Sequence, residues 1–456
     1  METELKDLKS QPSQQPPPQP QPPPLQPTVT NDDVPLLKNS ETHHSHNSSN
    51  SNSNINISGD NLDELEKKFA AYVRHDVYGR MGRGELPLGE KFLLGIALVT
   101  LVPVRVVLAM TLLVLYYLIC RICTLFSAPN REEEEEEDGQ EDYAHMGGWR
   151  RTVIVQCGRS LSRAMLFVFG FYWIKETNRI PDSTAQGKEE PEEPERPGAI
   201  ISNHVSYIDI LYHMHSSFPS FVAKRSVGKL PLVGLISKCL GCVYVQRESK
   251  SSDFKGVSGV VTERVREAYQ NKSAPMMMLF PEGTTTNGDY LLPFKTGAFL
   301  STVPVRPVIL RYPYRRFSPA WDSISGVRHV IYLLCQFVNH LEVVRLPIYC
   351  PSQQEKDDPK LYASNVRRLM ASEAIEVVAD TVPLKRPIVT ISNSSINQPK
   401  LYQKEEIEES VHLLPYMIVC LGNLIMSDIG LPEKRVYHAA LNGNNSLPSV
   451  LHQKDD

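Results

Sequence analysis

The residues best suited to chemistry lie in two short strings, Asn203-His204-Val205-Ser206-Tyr207-Ile208-Asp209 and Phe280-Pro281-Glu282-Gly283-Thr284. The first sets a histidine five residues ahead of an aspartate. An imidazole takes a proton from a hydroxyl near neutral pH. A carboxylate on its other nitrogen fixes the tautomer and stabilises the imidazolium that forms. On one continuous helix this spacing turns the two side chains about 140° apart. They meet only if His204 sits in a loop and Asp209 in the first turns of the helix that follows. The apolar run Ala199-Ile200-Ile201 supplies a strand before that loop. The implied geometry is therefore strand, loop with His204, helix with Asp209. No GxSxG nucleophile elbow occurs, so the base would act on a hydroxyl or water brought from outside.

The second string follows the apolar run Met276–Leu279. Sites in open α/β sheets gather beyond the carboxyl ends of strands. His204 and Glu282 both fall at such ends, so they can share one crevice. Gly283 lets backbone approach a ligand, and Glu282 is placed to orient the hydrogen-bonding groups of a donor or acceptor. Arg247, closing the run from Gly241 to Gln246, is either a bidentate grip on a phosphate or a surface arginine. The run Val303-Pro304-Val305-Arg306-Pro307-Val308 either walls an acyl or acceptor channel or forms an edge strand.

The elements that must position these residues alternate. Ala199–Ile201, Phe221–Ala223, Cys242–Val245, Met276–Phe280 and Val303–Leu310 read as strands, and Phe254–Tyr269 between them as a helix. The expected fold class is α/β, a mixed sheet covered by helices, spanning residues 198–351. Val330–Val338 is a further core or membrane-facing segment.

Ahead of that domain the chain changes character. Residues 1–60 are rich in Pro, Gln, Ser and Asn, too poor in apolar side chains to order themselves. Within them Asp32–Leu37 fits an acidic dileucine pattern, and His43, His44 and His46 read as solvated tail. Residues 61–91 read as a short amphipathic helical segment, with Leu62, Leu65, Phe69 and Tyr72 at helical steps. The longest apolar stretch, 92–123, is interrupted by Pro103 and Arg105. An arginine at the bilayer centre costs about 2.5–3.5 kcal/mol on insertion scales. The stretch is therefore a span using the cleaner half from Val106 to Ile122, a re-entrant hairpin turning at Pro103 with Arg105 snorkelling to the headgroups, or a buried helix of a soluble core. Positive residues on both flanks favour the hairpin, with both ends cytosolic. An acidic linker and connector fills 124–163. An aromatic, membrane-associated segment covers 164–174, too short to span. A charged linker covers 187–197, and a helical region extends over 352–456.

The net charge of −4 argues against general nucleic-acid binding. Eight scattered cysteines suit a reduced, cytosol-facing protein rather than a disulfide scaffold. Cys239 and Cys242 form a CxxC without a second pair, so they read as buried small residues. One histidine and isolated carboxylates do not make a metal-ligand set. There is no DxDxDG calcium loop, and the first residues carry no signal-peptide pattern.

In order and spacing, the His204–Asp209 string, the run ending at Arg247, the Phe280–Thr284 string and the Val303–Val308 run resemble the blocks of the glycerolipid acyltransferase family. The strings AHMGGWRRTVIV, GFYWI and NHVSYIDILYHM look most like the plant lysophosphatidylethanolamine acyltransferases, from about Leu62 onward. The resemblance implies that His204 deprotonates a glycerol hydroxyl, with Asp209 as its partner. The hydroxyl then attacks the thioester of acyl-CoA, which is a co-substrate, with no cofactor or metal. By the same resemblance Glu282, Gly283 and Arg247 help bind the phosphorylated acceptor, and Asn203, Thr284 and Pro304 complete the substrate-binding set. It also implies a lysophospholipid and a membrane, most simply the endoplasmic reticulum with a cytosol-facing site, as partners. Two departures stand out. Phosphatidic-acid-forming members usually carry arginine after FPEGT, where this chain has Thr285. That absence tilts the acceptor toward a lysophospholipid with a headgroup, lysophosphatidylethanolamine or lysophosphatidylcholine. The likeness also breaks over about 375–421, an expected insertion. Against this enzyme stand a lipid hydrolase, which lacks a serine elbow or metal set, and a silent membrane scaffold, which need not retain the block residues.

Overall fold

The computed structural model describes residues 66–67, 69–131, 141–179, 196–245, 252–379 and 389–390. The expectations for the 1–60 tail, the acidic run, most of the 187–197 linker, Arg247 and nearly all of the 375–421 segment lie outside the described residues.

Seven strands build the sheet that carries the site: β1 (Ile174–Asn178), β2 (Ala199–Ser202), β3 (Ser220–Lys224), β4 (Val243–Val245), β5 (Met277–Leu279), β6 (Val305–Arg311) and β7 (Leu341–Arg345). Their order is β1-β7-β6-β2-β5-β3-β4. From β6 to β4 all neighbours are parallel. β7 runs antiparallel to β6, and β1 is parallel to β7. The sheet is thus mixed, with β2 between β5 and β6 and in register Ile201 with Leu279 and Pro307.

The longer helices among the described residues are α1 (Leu88–Thr124), α2 (Gly148–Val168), α3 (Ile208–Ser216), α4 (Val233–Leu240), α5 (Ser252–Gln270), α6 (Gly326–Cys335) and α7 (Pro359–Ala379). Successive strand residues face opposite sides, and the core divides accordingly. Ile200, Met278, Val308 and Leu310 pack with Tyr116 of α1, Leu166 of α2, Tyr212 of α3 and Leu333 of α6. Ala199, Ile201, Met277, Leu279 and Ile309 pack with Val265 of α5 and Tyr362, Val366 and Met370 of α7.

Several expectations are corrected. The proline-bearing run from Val303 is not an edge strand, because β6 lies inside the sheet between β2 and β7. Pro307 is tolerated there as an acceptor, its carbonyl taking the Leu346 amide at 3.0 Å. No reversal occurs at Pro103: α1 runs through it as one helix of 37 residues, about 55 Å long at 1.5 Å per residue. An interior proline removes a single i→i−4 bond, and the packing of α1 along α2, α4 and α6 holds the rest.

Arg105 does not snorkel. It is buried, and its guanidinium donates to the carbonyls of Leu334 at 2.9 Å, Gln336 at 2.6 Å and Phe337 at 3.1 Å, and to the Tyr172 hydroxyl at 3.0 Å. These carbonyls lie at and just past the carboxyl end of α6, where orphan acceptors and the helix dipole favour a cation.

The helical segment expected over 61–91 does not continue through residues 69–87. Only single turns appear, at Ala70–Tyr72 and Arg80–Gly82. The carbonyls a helix would have used are taken by Asn287, whose amide groups donate to Ala70, Ala71 and Val73. The 164–174 segment is divided. Its first residues end α2, Ile174 opens β1, Phe169 and Phe171 are buried, and Phe167 and Trp173 are exposed.

Candidate functional site

Loops after β2, β5 and β6 converge at the carboxyl ends of those three parallel strands. His204 lies in the loop between β2 and α3, and Asp209 is the second residue of α3. The His204 ring nitrogen Nδ1 lies 2.8 Å from Asp209 Oδ2. The same oxygen accepts the amides of Val205 at 2.7 Å and Ser206 at 3.0 Å, so the carboxylate also folds the loop that carries its partner. Oδ1 accepts the Tyr312 hydroxyl. Asp209 is fully buried, while the His204 side chain keeps 12% of its surface exposed. With Nδ1 facing the carboxylate, Nε2 on the far ring edge is the nitrogen able to take a proton.

Below the ring, Phe280 stacks on His204 with centroids 4.0 Å apart and planes 15° apart. His213 meets the edge of Phe280 at 6.1 Å. Burial holds the His213 imidazole well down, to about 3, and so neutral.

Glu282 is buried with both oxygens engaged. Oε1 accepts the His204 amide and Oε2 the Leu292 amide, each at 2.9 Å. Its carboxylate therefore fastens the His204 loop to the segment after Tyr290 rather than facing the crevice. Burial pushes the Glu282 carboxyl up to about 7, against the opposing pull of those two amides and of His204. Asn203 likewise turns inward. Its amide nitrogen donates to the Leu310 carbonyl at 2.9 Å and its oxygen accepts the Leu310 amide at 2.8 Å, extending the β2–β6 ladder by one side chain. Gly283 has φ +73°, and a Cβ there would run into the Lys295 side chain, so the turn requires glycine. Thr284 is buried at its base.

The neighbouring Thr285 is also buried and donates its hydroxyl to the Trp321 carbonyl at 2.6 Å. Trp321 in turn donates its amide to the Val205 carbonyl at 2.9 Å. Pro304 falls elsewhere: its carbonyl accepts the Gly198 amide at 2.9 Å, at the amino end of β2, about 13 Å along the strand from Ser202 at 3.3 Å per residue.

Tyr312 and Phe280 were missed as site residues by sequence reasoning, and each carried a signal. Tyr312 continues the alternation of Val308 and Leu310 onto the face covered by α3, and Phe280 directly follows β5.

The family described as Acyltransferase matches residues 182–311, which hold, among the described residues, the hydrogen-bond partners of the dyad except Tyr312. A lysophospholipid acyltransferase of Arabidopsis thaliana is 56% identical over the full length of both chains. This chain belongs to the acyltransferase family. A lysophosphatidylcholine acyltransferase of Danio rerio is 34% identical over 62% of this acyltransferase, which spans 50% of that protein. The crystal structure of a 1-acyl-sn-glycerophosphate acyltransferase from Thermotoga maritima covers 59% of this chain and 98% of its own, with TM-score 0.33 and 14% identity. In an acyltransferase the chemical requirement is a base that frees an oxygen nucleophile, and the His204–Asp209 pair has the parts for it.

Proposed function

We propose that this acyltransferase moves an acyl group from acyl-CoA to the free glycerol hydroxyl of a lysophospholipid. The observation that carries the reading is the bond between His204 Nδ1 and Asp209 Oδ2 at 2.8 Å, in a loop laced by Glu282, Thr286 and Trp321. His204 Nε2 takes the hydroxyl proton as the oxygen attacks the thioester carbonyl. The carbon–sulfur bond then breaks, and the imidazolium returns the proton to the departing CoA sulfur. The products are a diacyl phospholipid and free CoA. Asp209 stabilises the imidazolium between these steps. No metal enters the scheme.

Lysophosphatidylethanolamine is the proposed first acceptor, with lysophosphatidylcholine and other lysophospholipids behind it. Thr285 supports this choice. A buried hydroxyl bonded to Trp321 brings no charge where phosphatidic-acid-forming relatives carry arginine, and a phosphodiester demands less positive charge than a phosphomonoester. The 56% identical relative is itself named a lysophospholipid acyltransferase.

The same reading seats the protein on one leaflet of the endoplasmic reticulum, with the site toward the cytosol. Both ends of α1 are tied to the same domain. Glu90 pairs with Arg316 at the start, and Arg150 donates to the Leu125 carbonyl at 3.1 Å just past the end. A crossing would put some 30 Å of hydrocarbon between those ends. The outer face, with Phe92, Val99, Val107, Leu115 and Ile122 exposed beside Trp173 and Phe337, offers an apolar surface of the kind that lipid covers.

The test is an acceptor panel with one labelled acyl-CoA, in membranes carrying wild type or His204→Ala at equal expression. Transfer to lysophosphatidylethanolamine, lost by about 10²–10⁴-fold in the variant, is expected. Retention of more than half the wild-type rate in His204→Ala overturns the mechanism. Preference for lysophosphatidic acid overturns the acceptor assignment.

A further inference from the structure

The Asp209 carboxylate has two sides, and the proposed chemistry uses one. Oδ2 serves His204 and the two loop amides. Oδ1 faces inward and meets the hydroxyl of Tyr312, the first residue past β6. Tyr312 is held there from two directions. The pair of hydrogen bonds between Asn203 and Leu310 fixes the register of β6 against the His204 loop, so the ring two residues further on arrives beside α3. From the other side Phe171, in the aromatic segment after α2, packs edge-on against the Tyr312 ring with centroids 5.9 Å apart. Burial and the neighbouring carboxylate hold the Tyr312 phenol well above its ordinary range, so it stays a donor.

We infer that Tyr312 is a positioning residue for the dyad: its hydroxyl locks the rotation of the Asp209 carboxylate and takes up part of its charge, so that Oδ2 stays aimed at His204. The inference rests on the reading of His204 as the base. A phenol on Oδ1 competes with the imidazolium for the charge of one carboxylate. Removing it frees that charge for the ring and loosens the aim of Oδ2. The titratable and charged groups around the dyad are Glu282 in the turn after β5, His213 and Tyr212 on α3, Tyr207 in the loop, Tyr312, and, on the Tyr212 hydroxyl, Arg345 of β7 and Glu176 of β1. Of these, the substitution Tyr312→Phe alters Tyr312 alone.

The experiment compares full-length wild type, Tyr312→Phe and His204→Ala in membranes, with palmitoyl-CoA and lysophosphatidylethanolamine, from pH 5 to pH 9. In Tyr312→Phe, kcat on the plateau is expected to fall about 10-fold from lost aim, with KM for both substrates within about 2-fold, the signature of an interaction outside ground-state binding. The acid limb of kcat/KM is expected to move up by about half a pH unit or more as the freed charge favours the imidazolium. A melting curve checks folding, since the ring and its packing on Phe171 remain. An unmoved acid limb overturns the assignment, with or without a loss of rate, because a purely structural tyrosine would slow or unfold the enzyme without shifting its titration. A rise in KM at constant kcat overturns it as well. Activity retained in His204→Ala is a different failure, that of the base itself.

Discussion

Asp209→Asn separates chemistry from architecture at the candidate site. The asparagine fits the space. Its carbonyl can take the place of Oδ2 and accept the His204 ring N–H and the amides of Val205 and Ser206, while its NH₂ meets the Tyr312 hydroxyl, which turns to accept it. Only the negative charge is lost. With Nδ1 and Oδ2 2.8 Å apart, the charge centres of imidazolium and carboxylate lie about 4 Å apart, worth about 4 kcal/mol at an effective dielectric near 20. That corresponds to about 10³-fold in rate. The assay is single-turnover transfer of labelled acyl groups from acyl-CoA to lysophosphatidylethanolamine, beside a melting curve. The expected outcome is a loss of about 10³ in rate with a melting temperature within about 4 °C of wild type. Asp209→Ala differs in kind. It strands the Val205 and Ser206 amides and the Tyr312 hydroxyl, each at about 1–3 kcal/mol, and should unfold the site. A rate within about 10-fold of wild type for Asp209→Asn would refute the dyad and leave Asp209 as a loop cap.

Glu282→Ala strands the His204 and Leu292 amides. It should lower kcat and melting temperature together while leaving the acceptor KM near wild type; a rise in KM alone would return Glu282 to a substrate-binding role. The neutral Glu282 carboxyl contributes stability that is fully present below about 4.5 and lost as pH rises through about 7. The melting temperature of wild type should therefore fall relative to Glu282→Gln as the pH is raised across that window, and parallel curves would count against it. Arg105→Leu uncaps the α6 carbonyls and should lower stability without weakening binding to anionic vesicles, whereas a snorkelling arginine would show the reverse. Asn271 of the Asn271-Lys272-Ser273 sequon is exposed just past α5. It should remain unglycosylated in native membranes, and a glycan there would put the domain in the lumen.

What the sequence disclosed follows the physics of its signals. The strand–loop–helix placement of His204 and Asp209 was legible because two side chains five residues apart can meet in few local geometries. The five parallel strands from β6 to β4 were legible because buried parallel strands read as apolar runs. β1 was not: Ile174-Lys175-Glu176-Thr177-Asn178 is mostly exposed and polar at the sheet's edge, so it resembled the end of an aromatic patch. In sequence Glu282 reads as a ligand-binding group because it falls at the carboxyl end of a strand, and Asn203 does so by resemblance. Their inward turn depends on Leu292 and Leu310, whose partnership no local pattern announces. Arg105 misled for a related reason. A charge in an apolar stretch signals a site near water or headgroups, and only the fold supplies the carbonyls of α6.

The burial of Arg105 changes what α1 can be. Once the guanidinium is spent on the carboxyl end of α6, the outer stripe of the helix carries no charge between Lys91 and Arg121. The inner stripe, with Ala109, Tyr116 and Cys120, belongs to the same core that supports α3. On the proposed reading lipid meets the outer stripe, α1 packs on α2, and α2 packs on α3, which bears Asp209. Two interhelical steps of about 8–10 Å each thus separate the apolar face from the dyad. A lysophospholipid is built for that interval, with its acyl chain remaining in the leaflet while its free hydroxyl reaches into a crevice above it. A water-soluble acceptor would have no use for an apolar plane at that distance, and so the buried arginine bears on which acceptor the site can be offered.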